Sequence, residues 1–326
     1  MRIVLIRLSA MGDVLRVLPA WNNLLQAFPN AIFQATIEGR HAFLLEPFPR
    51  LEPIIVHRGR LSNPATAMLE LHRVGKLVRG ADASLDFHGV LKSALIPFFG
   101  GVKARWGDGN AKEGAAWLQN NRLPHKKKDR YLQALGLSEK FGELHGIPDL
   151  GRFRPILKDA DLPPSAAWPH SEKEARPRIL LVPGTSRAGA NKRWPLQKWL
   201  HLAAELKPAA ELRWILGPNE DFMRNWLQEK SGVEALPPLP FWELASAVRT
   251  ASRVVVCDTG LLHLAVLLGV KATALMGPSD PVISGIPQDS GTIVRANVEC
   301  SPCREKKCLR LSCMGQLQVS QVLATL

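Results

Sequence analysis

The chain has 326 residues, and its 42 Lys and Arg against 29 Asp and Glu give a net charge of +13. At roughly 150 residues per domain the length suggests two domains, and 46 % hydrophobic against 22 % charged residues excludes a disordered chain. The 25 Gly and 25 Pro follow no period, which excludes a collagen-like or low-complexity chain, and no run of about 18 apolar residues offers a membrane-spanning helix.

The N-terminus, MRIVLIRLSAMGD, carries Arg7 inside a short apolar run and reads as a strand, not a secretory signal. Residues 2–8 are the strand and 13–27 a helix. Further strands are expected at 31–37, 53–57 and 83–87, with helices over 63–79 and 90–98. Short apolar strands without clean alternation fit a parallel sheet covered on both faces. Segment 159–178 is rich in Pro, Ser and charge and reads as a linker. The alternation then restarts. Strands are expected at 178–182, 211–216, 253–257 and 271–276, and helices at 195–206, 219–230, 261–269 and in the C-terminal tail. The fold class is α/β, with two doubly wound domains, 1–160 and 175–326, facing each other across a cleft. The last helix is left free to pack back on the first domain. Ligands of such sheets bind beyond the carboxyl ends of the strands.

Several turns at those ends carry chemistry. Ser9-Ala10-Met11-Gly12-Asp13 follows the first strand. Asp13 is either an N-cap for the helix or a carboxylate that accepts a proton from a hydroxyl nucleophile. Pro183 to Pro195 follows the first strand of the second half. Its small hydroxyl and Gly residues, Thr185, Ser186 and Gly189, together with Lys192, have the make-up of a phosphate-binding loop. The loop is not a Walker A string, because Ala190 follows Gly189. Asp258-Thr259-Gly260 again joins strand to helix and directs a helix N-terminus at an anion, with His263 one turn on. Glu220, after the strand at 211–216, is placed to bind ribose hydroxyls or to cap a helix. Gly277-Pro278-Ser279 makes a rigid turn near the same edge.

Other readings fall away. An aspartic protease needs a second carboxylate across a pseudo-dyad. The nearest similar string, Asp289-Ser290-Gly291, lies only 31 residues on. No G-x-G-x-x-G follows a strand, so a dinucleotide cofactor is not expected. Cys257 sits in an apolar run and reads as core. Cys300, Cys303, Cys308 and Cys313 could hold zinc by number, but C-x2-C-x4-C-x4-C is not the usual paired spacing, and a cysteine-rich loop without metal is the expectation. The positive charge favours anionic partners: nucleic acid, anionic lipid or phosphorylated substrates. A non-enzymatic basic nucleotide- or nucleic-acid-binding α/β protein is the alternative to an enzyme. It lacks support from any helix-turn-helix, RRM, KH or zinc-finger signature.

Taken in order, these strings resemble glycosyltransferase family 9, the bacterial ADP-heptose:lipopolysaccharide heptosyltransferases. The resemblance runs from Ser9–Val14 with Pro19-Ala20, through Asp86-Phe87-His88-Gly89 and Leu91-Lys92-Ser93-Ala94, to Pro183–Ser186 and Lys192–Pro195. It continues through Asp258-Thr259-Gly260 with His263-Leu264-Ala265 to Gly277-Pro278-Ser279. The cysteine-rich stretch looks like that of the heptosyltransferase II branch. The resemblance implies a GT-B fold and inverting, metal-independent transfer of a heptose from ADP-heptose to the lipopolysaccharide inner core. A family 9 transferase of another sugar or acceptor is the near alternative. It implies Asp13 as general base. Thr185, Ser186, Lys192, Glu220, Asp258, Thr259, Gly260 and His263 would bind the donor. No cofactor, no divalent metal and no nucleic-acid partner are expected. The anionic acceptor would bind the first domain, with Arg58, Arg60, Arg122 and Lys126 as candidates by charge. The protein would be cytoplasmic, peripheral to the inner membrane.

Overall fold

The computed structural model describes residues 1–326 apart from 125–127, 158–160, 165–166, 169–175, 218–219, 304 and 306, with the backbone alone of Arg187, Ala188 and Asp221. The chain divides into two units, Met1–Arg154 and Pro155–Leu326.

The first unit alternates strand and helix: β1 (Arg2–Ile6), α1 (Met11–Ala27), β2 (Ile32–Glu38), β3 (Leu51–Val56), α2 (Pro64–Leu77), β4 (Ala83–Asp86), α3 (Leu91–Phe99), β5 (Ala104–Asp108), α4 (Ala115–Leu118), β6 (Asn121–Leu123) and α5 (Arg130–Glu143). Every strand pair is parallel, in the order β3-β2-β1-β4-β5-β6. Strand order reverses between β1 and β4, where Ile3 pairs with Ala83 on one side and Phe33 on the other. Ile3 to Ile6 are fully buried, as a central parallel strand requires. Asn63 accepts the Ala65 N–H at 2.9 Å and Pro64 occupies the first turn, which fixes the start of α2. Asp129 caps α5 in the same way, on the Leu132 N–H. The buried face of α5 (Tyr131, Ala134, Leu135, Ser138, Phe141) lies against α1. Asn23 of α1 donates to the carbonyls of Leu150 and Arg152, tying down the end of the unit.

The second unit contains β7 (Arg178–Val182), α6 (Leu196–Leu206), β8 (Glu211–Trp214), α7 (Asp221–Ser231), α8 (Phe241–Arg249), β9 (Arg253–Cys257), α9 (Gly260–Leu267), β10 (Lys271–Leu275), α10 (Pro281–Ser284), β11 (Gly291–Val294), α11 (Ser312–Gly315) and α12 (Val319–Leu323). Its sheet is parallel, in the order β11-β10-β9-β7-β8. A single parallel bridge from Ala235 to Trp214 stands where a sixth strand would extend it beyond β8. The reversal falls between β7 and β9. Three tryptophans, Trp194, Trp199 and Trp214, pack edge to face in the core under the sheet.

The C-terminal tail is two short helices, and Val319 and Val322 of α12 enter this same core against α6. Residues 155–157 also belong to the second unit. The Ile156 N–H bonds the Leu267 carbonyl at 3.1 Å, and Leu157 is buried. Trp168, inside the stretch read as linker, is buried with the Arg178 guanidinium 3.9 Å over its ring. The strands β5, β6 and β11 and the helices α4, α5, α8, α10 and α11 are not among the elements expected from the sequence.

Candidate active site

In the first unit the loops after β1 and β4 meet at the reversal point. Ala10, not Asp13, is the N-cap of α1, and it makes no side-chain cap. Asp13 lies within the first turn, and its carboxylate is held by three guanidiniums. Arg7 contacts Oδ2 at 2.7 Å, while Arg16 and Arg130 contact Oδ1 at 2.7 and 2.6 Å. The cap reading of Asp13 therefore gives way to an ion-paired carboxylate at the strand end. Arg7 is largely withdrawn from water, which lowers its pKa against the pull of Asp13, and it also donates to the Phe87 carbonyl at 2.7 Å. Arg16 is buried on α1, and Arg130 opens α5 with its side chain half exposed.

The turn after β4 is built on Asp86. Its buried carboxylate accepts from the backbone of His88 and Gly89, from Ser93 Oγ at 2.8 Å and from Gln119. Burial pushes the Asp86 carboxyl up to about 6 against those bonds. Gly89 has φ +70°, a conformation favouring glycine. His88 Nδ1 accepts the Leu8 N–H at 3.2 Å, so the ring proton sits on Nε2. Burial, with Arg7 beside it, drives the His88 pKa down to about 3, and the imidazole is neutral.

In the second unit the predicted donor residues lie on the segments that follow β7, β8 and β9, with Gly260 and His263 already inside α9. The Thr185 hydroxyl donates to the Gly189 carbonyl at 2.9 Å and accepts from Arg193 Nε at 3.0 Å, so it shapes the loop from within. Ser186 next to it is exposed. Glu220 is buried at the start of α7. Its carboxylate accepts the Gly217 N–H at 2.8 Å, faces Arg193 at 3.6 Å and packs on the bare backbone of Gly184. Lys192 Nζ bonds Asp258 Oδ2 at 2.7 Å, and the Ser279 hydroxyl donates to the same oxygen. Burial favours the neutral Asp258, but Lys192, His263 and these hydrogen bonds together hold its carboxyl below the ordinary range. His263 is buried on α9 with Nε2 3.9 Å from Asp258 Oδ1. Thr259 is the N-cap of α9, yet its hydroxyl makes no cap bond and is buried without a hydrogen-bond partner among the described residues. A buried orphan hydroxyl at a helix N-terminus beside a lysine is suited to an anionic oxygen.

The proposed acceptor residues are not gathered in one place. Arg58 and Arg60 lie on the 3-10 turn Arg58–Leu61 after β3, paired with Glu38 at 3.5 Å and Glu70 at 3.2 Å. Arg122 is on β6, the opposite edge strand, and donates to the Gln119 carbonyl. Lys126 lies outside the described residues. The five cysteines are unbridged. The cysteine-rich segment is tied to the donor edge by Ser301 Oγ on the Gly277 carbonyl and by Asn191 on the Glu305 carbonyl. Among the described residues no group of three or more His, Cys, Asp or Glu is arranged to hold a metal ion.

Arg7, Arg16, Arg130 and His88 join the site without having been singled out for it. Arg7 carried a signal: a charge in a buried strand needs a partner. Arg130 carried none, because its contact spans 117 residues and depends on how α5 packs on α1.

The family described as "Glycosyltransferase family 9 (heptosyltransferase)" matches residues 71–313. Lipopolysaccharide heptosyltransferase 1 of Escherichia coli K12 is 27 % identical over 296 residues, covering 87 % of this chain and 90 % of that one. Lipooligosaccharide heptosyltransferase 2 of Haemophilus influenzae is 26 % identical over 319 residues, covering 90 % and 88 %. The solved structure of E. coli heptosyltransferase WaaC with ADP-2-deoxy-2-fluoro heptose superposes with a TM-score of 0.75 at 23 % identity, over 99 % of this chain and 98 % of that one. Relatives named heptosyltransferase 1 share 27–28 % and those named heptosyltransferase 2 share 25–26 %, so the cysteine stretch does not by itself assign the chain to the second branch. The two parallel α/β units, the structural likeness and the family match agree: this chain has the GT-B fold and belongs to glycosyltransferase family 9.

Proposed function

We propose that the chain transfers heptose from ADP-heptose to the anionic inner core of lipopolysaccharide, with inversion and without a metal. The observation that carries this reading is the edge formed by Lys192, Asp258 and, at the start of α9, the Thr259 hydroxyl, which is unpartnered among the described residues. Lys192 and the α9 N–H groups take the diphosphate, and Glu220 takes the ribose. An acceptor hydroxyl attacks the anomeric carbon, its proton goes to the Asp13 carboxylate, and the bond from that carbon to phosphate breaks. ADP leaves with the electron pair, its developing charge met by Lys192 and the helix N-terminus. Arg58, Arg60, Arg122 and Lys126 supply positive charge for the acceptor. The acceptor's lipid places the enzyme at the cytoplasmic face of the inner membrane, although no helix among the described residues is long and apolar enough to cross a membrane.

The test is transfer from ADP-heptose to heptose-deficient lipopolysaccharide with EDTA present. Wild type is expected to turn over. Asp13→Asn is expected to lose on the order of 10²–10⁴-fold in kcat while still binding ADP, and Lys192→Ala to lose ADP binding. Full activity of Asp13→Asn would remove Asp13 as base, and loss of activity in EDTA would remove the metal-free mechanism.

A further inference from the structure

A strip of apolar side chains is exposed on the first unit where α2, α3 and α4 lie side by side. Trp117 of α4 is 81 % exposed, Met68 of α2 48 %, Phe98 of α3 47 % and Leu91 of α3 38 %. The helices are neighbours: α2 packs on α3 and α3 on α4. His72, one turn after Met68, meets the Phe99 ring at 5.7 Å. Arg105 lies 5.8 Å over the Phe98 ring while its Nε bonds the Leu118 carbonyl, joining Phe98 to the end of α4. Two large aromatic side chains open to water on adjacent short helices are costly for a soluble surface, and such patches mark sites that are covered in use.

The stretch of chain that carries the strip is basic. Residues 58–122 hold ten Lys and Arg against five Asp and Glu, and two of those acids, Glu70 and Asp86, are buried. Lys92 is exposed beside Leu91, and Arg105 borders Phe98. Exposed Glu113 accepts the Leu91 N–H at 3.3 Å. Exposed aromatics with Lys92 and Arg105 on the same helices and edge match a lipid headgroup region, where apolar rings enter the acyl boundary and Lys or Arg meet phosphate.

The strip also borders the acceptor end of the sheet. Lys92 Nζ bonds the Leu61 carbonyl at 3.2 Å, next to Arg60, and its charge acts on His88 in the turn beside Asp13. An acceptor whose lipid stays in a bilayer must offer its sugar near that bilayer's surface. We infer that the α2–α4 face, through Leu91, Phe98 and Trp117 with Lys92 and Arg105, seats the enzyme on an anionic lipid bilayer. This deepens the transfer reading and rests on it for the identity of the acceptor, but the lipid contact has its own readout.

The experiment is co-sedimentation with vesicles of phosphatidylethanolamine and phosphatidylglycerol, against phosphatidylcholine alone, for wild type and the double variant Phe98→Ser/Trp117→Ser. Both side chains are exposed, so the variant is expected to fold, which ADP binding and thermal melting check. Wild type is expected to bind the anionic vesicles and not phosphatidylcholine, and the variant to bind at least about ten-fold more weakly. Transfer to a vesicle-embedded acceptor should fall with it, while transfer to the soluble, delipidated core sugar is unchanged. Equal vesicle binding by both proteins, or none by wild type, would overturn the proposal. So would a wild-type dimer that the variant converts to monomer with vesicle binding untouched, because the face would then join two copies. Anionic vesicle binding that the variant loses, with no transfer to either acceptor, would uphold the surface and sink the transfer reading.

Discussion

Gly184 is a glycine because the Glu220 carboxylate occupies the space a Cβ would need. Gly184→Ala is expected to push Glu220 off the Gly217 N–H and away from Arg193. We expect ADP affinity to drop by about ten- to a hundred-fold, from the loss of charge-assisted hydrogen bonding, measured by calorimetric titration. Unchanged affinity would take Glu220 out of the donor site. His88 carries a second residue-level expectation. Folded, it stays neutral to about pH 3 against an ordinary value of 6.5. Between those values the unfolded chain binds the extra proton, so stability is present above pH 6.5 and is lost as pH falls through this window. His88 contributes a slope of at most ~1.4 kcal/mol per pH unit. Urea melts of His88→Gln should show a shallower acid loss than wild type, and parallel slopes would contradict the buried neutral imidazole.

At the scale of elements, Glu70 fastens α2 to the turn that carries Arg58 and Arg60. Its fully buried carboxylate accepts from the His57 N–H at 2.9 Å, from Arg60 at 3.2 Å and from Arg73 at 2.6 Å. The Arg73 hydrogen bond is the main cause that brings the Glu70 carboxyl down to about 2, against its burial and with help from His57. Glu70→Ala should cost about 2 kcal/mol and speed tryptic cleavage at Arg58 and Arg60. Equal proteolysis would mean the turn is held by something else. The elements that could be read from sequence are the central ones. β1, β7 and β9 are each an arginine followed by a continuous apolar run. β5 (ARWGD) is not legible as a strand because it lies toward the sheet edge and carries Arg105 and Gly107. α5 had the right spacing, 131, 134, 135, 138 and 141, but its polar positions masked it. Strand-end residues such as Asp13, Lys192 and Asp258 were legible for the same reason as their strands. The three-arginine cage around Asp13 was not, because its members come together only by packing.

The whole molecule carries +13, and residues 1–163 hold +8 of it. That field should draw in an anionic acceptor over distances longer than any contact. Salt shortens its reach to about 10 Å at 0.1 M. For transfer, kcat/KM for the acceptor is therefore expected to fall several-fold between about 0.05 and 0.5 M salt, with kcat changing much less. Parallel loss of both in steady-state kinetics would point to damage at the site. The two sheets share a plan, since the Ala235 bridge beside β8 marks the place β3 holds beside β2. In both units candidate site residues stand at the reversal of strand order, where adjacent loops part.

An ammonium group has three N–H bonds, and Asp258 takes one from Lys192. On the transfer reading the other two, which meet no further hydrogen-bond partner among the described residues, are left for the diphosphate, and the side chain would not need to swing to offer them. Arrival of the diphosphate would then require no search among rotamers at this lysine. Diffusion and the shedding of water would set the timing of that encounter, because the cation would be aimed before the nucleotide comes.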